Sequence, residues 1–179
     1  MEILIATALI FFAVALRLLP HAPNFAPIAA VALFAGAVLP RRWSLVIPFG
    51  AMLLSDAIIG FYQVPVMISV YAAFALTVLF SWWSRQQKER AVSTLGASLF
   101  GSIAFFLLTN AAVWRWGGLY PLTMAGLLQS YALGVPFFRN TLASDLFYMT
   151  VLFGSYTAVT WVVRHRHWLR DRQMLRSPR

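Results

Sequence analysis

The sequence predicts an all-α integral membrane protein, a bundle of six transmembrane helices with both termini on the cytoplasmic side. Three observations carry that expectation. Of the 179 residues, 61% are hydrophobic and only 11% charged, with a mean hydropathy of +0.75, whereas a soluble domain carries about 25% charged residues. Apolar runs near the roughly 20-residue length of a membrane span recur along the chain, separated by prolines, glycines or charges. The basic residues are also distributed unevenly between alternate loops. Such a length accommodates five or six spans and no attached catalytic domain, so residues 1–163 read as one transmembrane domain and 164–179 as a basic cytoplasmic tail.

Ile3 to Leu19 is apolar apart from Arg17 and lacks both a basic leader and a small-x-small cleavage site, so it reads as a retained helix. Pro20, Pro23 and Pro27 then make an elbow that no helix interior would tolerate. A short helix follows from Pro27 to Leu39, rich in Ala and Gly36, which are small enough for close helix packing. Trp43 to Phe61 forms the third helix, carrying Asp56 and a kink expected at Pro48. The fourth spans Pro65 to Trp83, and the charged loop Arg85 to Arg90 leads into the fifth, Ala91 to Trp114. Leu122 to Leu133 is too short to span and is expected to be a separate interfacial helix. Pro136 to Asn140 breaks the chain before the sixth helix, Thr141 to Val163.

With a cytoplasmic N-terminus, Arg41, Arg42, Arg85, Lys88, Arg90 and the six tail arginines lie inside, 11 of the 14 basic residues. Arg17, Arg115 and Arg139 are left outside. The positive-inside rule selects this orientation. The net charge of +9 is then accounted for by topology and anionic lipid, with no nucleic-acid partner required.

In this topology the outer third of the bundle gathers the polar residues. Arg17, His21, Asn24, Asp56, Tyr62, Asn110, Trp114, Tyr120, Arg139, Asn140, Asp145 and Tyr148 are the candidate solute contacts. Competing structural roles stand beside this reading. Arg17 is a ligand contact or a snorkelling helix-end arginine. Asp56 and Asp145 touch solute or form ion pairs with Arg17 and Arg139. Asn110 binds solute or bonds helix to helix, and Trp114, Trp116 and Tyr120 also suit an aromatic belt. His21 has no second ligand at metal spacing, and His165 and His167 sit among arginines, so no metal site is expected.

Several chemistries are missing. There is no cysteine, no phosphate-binding Gly-x-x-x-x-Gly-Lys-Ser/Thr loop, no Gly-x-Ser-x-Gly and no His-Glu-x-x-His. No catalytic cofactor and no enzymatic activity are expected, although Asp56 and Asp145 would be the acid/base pair of a membrane enzyme. A second alternative is a non-transporting scaffold for envelope assembly.

Arg17-Leu-Leu-Pro-His-Ala-Pro-Asn24-Phe-Ala-Pro27, Leu54-Ser-Asp56 with Gly60-Phe61, Thr109-Asn110 with Trp114, Pro136-Phe-Phe-Arg-Asn-Thr141 and Asp145-Leu-Phe-Tyr148 resemble a family of small bacterial membrane proteins described only as transport proteins. That family is similar to the S components of energy-coupling factor transporters and to a solitary cobalamin-binding S component. The resemblance runs from about Arg17 to Gly154. It implies six helices in the bacterial inner membrane, a vitamin or related cofactor captured at the outer face, and release by reorientation. It further implies an energising module of a transmembrane T subunit and ATPases, or solitary operation. A small-residue face of helix 2 or helix 1 (Ala6, Ala13) would meet that module. Cobalamin is the transported ligand it points to, although cobalamin-type relatives can use a cysteine at the cobalt and this chain has none, leaving His21 as the available ligand.

Overall fold

The computed structural model describes residues 2–176, which form α1 (Glu2–Leu18), α2 (Ile28–Val38), α3 (Arg41–Ile59), α4 (Val64–Ser84), α5 (Arg90–Trp116) and α6 (Met124–Arg176). Among the described residues there is no strand. Arg41–Ile59, Val64–Ser84 and Ala91–Trp116 are long and apolar enough to cross a membrane, while the apolar stretches Leu4–Leu18 and Ile28–Val38 are shorter. Leu53, Ile58, Leu79, Leu99, Ile103 and Leu107 stand exposed along these helices. In water such a surface would be a liability; it fits contact with lipid chains.

At the centre lies α2. Its Ile28, Ala30, Val31, Ala32, Leu33, Phe34, Ala35 and Gly36 are all buried, and α3, α4, α5 and α6 pack around it. Eleven residues rise only about 16 Å at 1.5 Å each, roughly half of a 30 Å hydrocarbon core. Its start lies at mid-height, because Ser144 Oγ donates to Ala26 O at 3.0 Å while the adjacent Asp145 takes a hydrogen bond from Ser102, near the middle of α5. Its end lies at one end of the bundle, beside the α4–α5 turn.

A helix end buried away from water leaves carbonyls that something must satisfy. Here the neighbours do so. Ser81 Oγ donates to Leu33 O at 2.6 Å and Ser44 Oγ to Ala35 O at 3.1 Å. Arg85 Nη1 donates to Gly36 O and Leu39 O at 3.2 and 2.8 Å. Close approach is possible because Gly36 has no Cβ; one built there would lie 2.7 Å from Ser81 Cβ. The same device joins α4 to α5, where a Cβ on Gly101 would lie 2.6 Å from Thr77 Oγ1.

Three expectations are corrected. The stretch 122–133 and the helix expected from Thr141 are not separate: α6 runs unbroken from Met124 through Pro136 to Arg176. Proline removes one backbone donor, and spanning helices tolerate this where neighbours compensate. The small-residue faces of α1 and α2 are not free for a partner protein, since Ala6, Ala13, Ala30, Ala32, Ala35 and Gly36 are buried inside the bundle. The polar set is not confined to the outer third, because Asp145, bonded to Ser102 near the middle of α5, lies at mid-height.

The packing at Gly36 yields a paired test. Gly36→Ala is expected to overpack against Ser81 and cost about 1–3 kcal/mol, seen as a lower thermal midpoint of the detergent-solubilised protein. Gly96→Ala, where a new Cβ meets nothing within 4 Å, is expected to leave that midpoint unchanged or raise it.

Candidate functional site

The elbow is an ordered turn. Phe25 N donates to Ala22 O at 2.9 Å, and Asn24 holds a φ of 60°. Proline at the second position and a left-handed asparagine at the third are what a type II turn requires. α6 holds this turn in place. Asn140 Nδ2 donates to Pro23 O at 2.9 Å and Ser144 to Ala26 O. The Phe25 ring lies against Phe147 and Tyr148, with centroids 6.1 and 5.7 Å away. Residues 140, 144, 147 and 148 follow helical spacing and form one stripe of α6.

Beside that stripe, Thr141 and Asp145 lie four apart and border a cavity of about 210 Å³. Asn24, Ala26, Ile28 and Ala29 contribute the elbow and first turn of α2. Arg17 and Met52 come from α1 and α3, Phe74 and Thr77 from α4, Gly101, Ser102 and Phe105 from α5, and Tyr62 from the α3–α4 link. Asn24 and Tyr62 are exposed and mark its mouth, while Ser102 and Asp145 are buried and mark its floor.

Charge in this wall is arranged unequally. Arg17 Nη2 meets Asp56 Oδ1 at 2.6 Å, and Tyr71 donates its hydroxyl to Asp56 Oδ2 at 3.0 Å. Arg17 Nη1 also donates to Ser55 Oγ and, at 3.4 Å, to Met52 O. One buried pair thus ties α1, α3 and α4 together, and its charges cancel. Asp145, 4% exposed, accepts from Ser102 Oγ at 2.6 Å. The expected pair with Arg139 does not form: Arg139 is exposed and does not border the cavity. An unbroken α6 places Asp145 at mid-height, below the level of Asp56, instead of one turn into a new helix.

Of the twelve expected contacts, Arg17, Asn24, Tyr62 and Asp145 border the cavity, and Asp56 lies behind Arg17. The other seven do not border it. His21 Nδ1 lies 2.6 Å from Leu19 O on the exposed elbow. Asn110 bonds Phe106 O at 2.8 Å, and its amide fills the space left by Gly134. Trp114 Nε1 donates to Pro121 O at 3.0 Å, closing the α5–α6 turn near Tyr120. Asn140 and Tyr148 hold the elbow. Tyr71, Thr77, Ser102 and Thr141 escaped the sequence reading because single hydroxyls in apolar spans are common; a tyrosine midway along α4 was the one available signal. Among the described residues no group of three His, Cys, Asp or Glu could hold a metal.

Fold and site together define an all-helical protein whose apolar helices fit a membrane and enclose a small cavity with charged groups in its wall. Residues 1–168 match the profile of a family described as "Family of unknown function (DUF6580)", and the chain belongs to that family. No curated protein and no solved structure shows a significant match to it.

Two tests follow from the wall. Removing one member of a buried pair strands the other charge, at a cost of about 3–5 kcal/mol. Asp56→Ala is therefore expected to lower the thermal midpoint sharply, and the double change Arg17→Met with Asp56→Leu to recover most of it. Partial burial of the Tyr62 side chain pushes its hydroxyl up from 10.0 to about 12, with the Asp56 carboxylate adding to the rise and Arg17 opposing it. The fold thus favours the neutral phenol, whose contribution is complete below pH 10 and lost as pH rises through about 12. Tyr62→Phe is expected to remove that alkaline loss from a stability–pH curve.

Proposed function

We propose that this chain is a solute-capture protein of the bacterial inner membrane, taking up a vitamin or related cofactor from the outer face. In this reading all six helices are membrane-embedded, α2 only in part, with both termini cytoplasmic and the elbow outside. Arg41, Arg42, Arg85, Lys88 and Arg90 all lie near the end of the bundle opposite the elbow, in keeping with positive-inside topology.

The observation that carries the proposal is the cavity at the start of a half-length buried helix. Membrane transporters build solute sites near mid-depth where a discontinuous helix begins. Small-molecule sites also combine mostly apolar walls with a few fixed polar groups. Phe74, Phe105, Met52 and Ile28 supply the first here, and Asn24, Arg17, Thr141 and Asp145 the second. At about 210 Å³ the cavity suits a solute of one or two small rings. A corrinoid is many times larger, and only its edge would enter. Release would follow reorientation of the whole body, with an energising module or alone. The scaffold alternative loses ground because the small-residue faces it would use are packed within the bundle.

Mass spectrometry of small molecules released from mildly purified protein is expected to find one low-mass solute near stoichiometric amount. Asn24→Gly, which removes the amide yet keeps the positive φ accessible, should lower its occupancy several-fold, in line with the loss of one buried polar contact. His21→Ala and Arg139→Ala should leave occupancy unchanged. An empty native protein in stable association with another membrane protein would favour the scaffold.

A further inference from the structure

The charges around the cavity do not balance. Among the described residues Arg17 is the only basic one bordering it, and its guanidinium is already engaged by Asp56 at 2.6 Å. Tyr71 occupies the second oxygen of Asp56, so that group is complete. Asp145 is different. It is 4% exposed and borders the cavity. Among the described residues its one hydrogen-bond donor is Ser102, which serves Oδ2; Oδ1 has neither a donor nor a cation. Buried charges are ordinarily paired with an opposite charge, and a carboxylate that keeps one oxygen toward an open space is a ready acceptor for a cationic group.

One feature pulls the other way. The first turn of α2 carries no side-chain cap, and Ile28 and Ala29 border the same cavity. A helix start favours anions. Its amides do not hydrogen-bond Asp145, so the two remain separate features of the wall. A helix end carries only about half a charge, whereas a cation seated at Asp145 would meet a carboxyl group directly.

We infer that the cavity selects a solute bearing a positively charged nitrogen, which Asp145 receives at the floor while Phe74 and Phe105 flank its apolar body. The inference rests on the capture reading and names the class of solute for that same site. Asn24 and Tyr62 would then close over the end of the solute left at the mouth.

The test uses the full-length detergent-solubilised protein and three probes of one shape: benzylamine, benzyl alcohol and benzoate. Binding is measured by equilibrium titration to the native chain and to Asp145→Asn, Asp145→Glu and Ser102→Ala. The native chain is expected to bind benzylamine at least about tenfold more tightly than benzyl alcohol, the size of one charge-assisted hydrogen bond, and benzoate least. Asp145→Asn should erase that preference, while Asp145→Glu and Ser102→Ala keep it. Should Asp145→Asn not fold, the native ranking with the other two variants decides. Equal binding of all three probes, or a preference for benzoate, would overturn the cationic solute while leaving the cavity as a capture site. A cation preference unchanged in folded Asp145→Asn would overturn the role of Asp145. Failure of the native chain to bind any probe, in a protein that also releases no solute on denaturation, would overturn the capture reading itself, and the inference with it.

Discussion

An 11-residue helix enclosed on every side places backbone polar groups where water does not reach them, and much of the bundle is arranged to meet that constraint. In a low-dielectric interior each unmet carbonyl costs more than a net hydrogen bond contributes. Ser44, Ser81 and Arg85 therefore serve the end of α2, and Ser144 and Asn140 serve the chain leading into it. These side chains come from α3, α4 and α6, so satisfying α2 also positions its neighbours. Gly36 is needed for the same reason, since Ser81 reaches Leu33 O across the space a Cβ would fill.

The α6 helix separates the residues that hold the elbow from those that border the cavity by helical phase alone. Asn140, Ser144, Phe147 and Tyr148 secure the elbow, and Thr141 and Asp145, rotated by one residue, border the cavity. A polar residue in this region therefore takes its role from the stripe it occupies. The Arg17–Asp56–Tyr71 group plays the holding part for α1, α3 and α4.

Much of this was legible in the sequence. Composition and apolar run length implied an all-helical, lipid-facing chain. The three prolines implied the elbow, and Arg17 with Asp56 implied a buried pair, as found. Pro136 misled because proline breaks helices in water, whereas packing in a bundle carries α6 straight through it. That misplaced start put Asp145 too near the surface and suggested Arg139 as its partner. Asn110 and Asn140 read as solute contacts because an amide in an apolar segment needs partners. Sequence does not say whether those partners are solute or backbone, and here they are Phe106 O and Pro23 O. Arg85 looked like an ordinary cytoplasmic charge, and its service to the end of α2 depends on tertiary placement alone.

The two lips of the cavity differ in how they are held. The elbow lip is pinned to α6 by two hydrogen bonds and two ring contacts, so it moves only if α6 moves with it. The facing lip, residues 60–63, is exposed throughout and leaves α3 through Gly60 at a φ of 114°, a backbone setting that glycine adopts without strain. On the capture reading, a solute entering the mouth would pass Tyr62 and meet the α3–α4 link first.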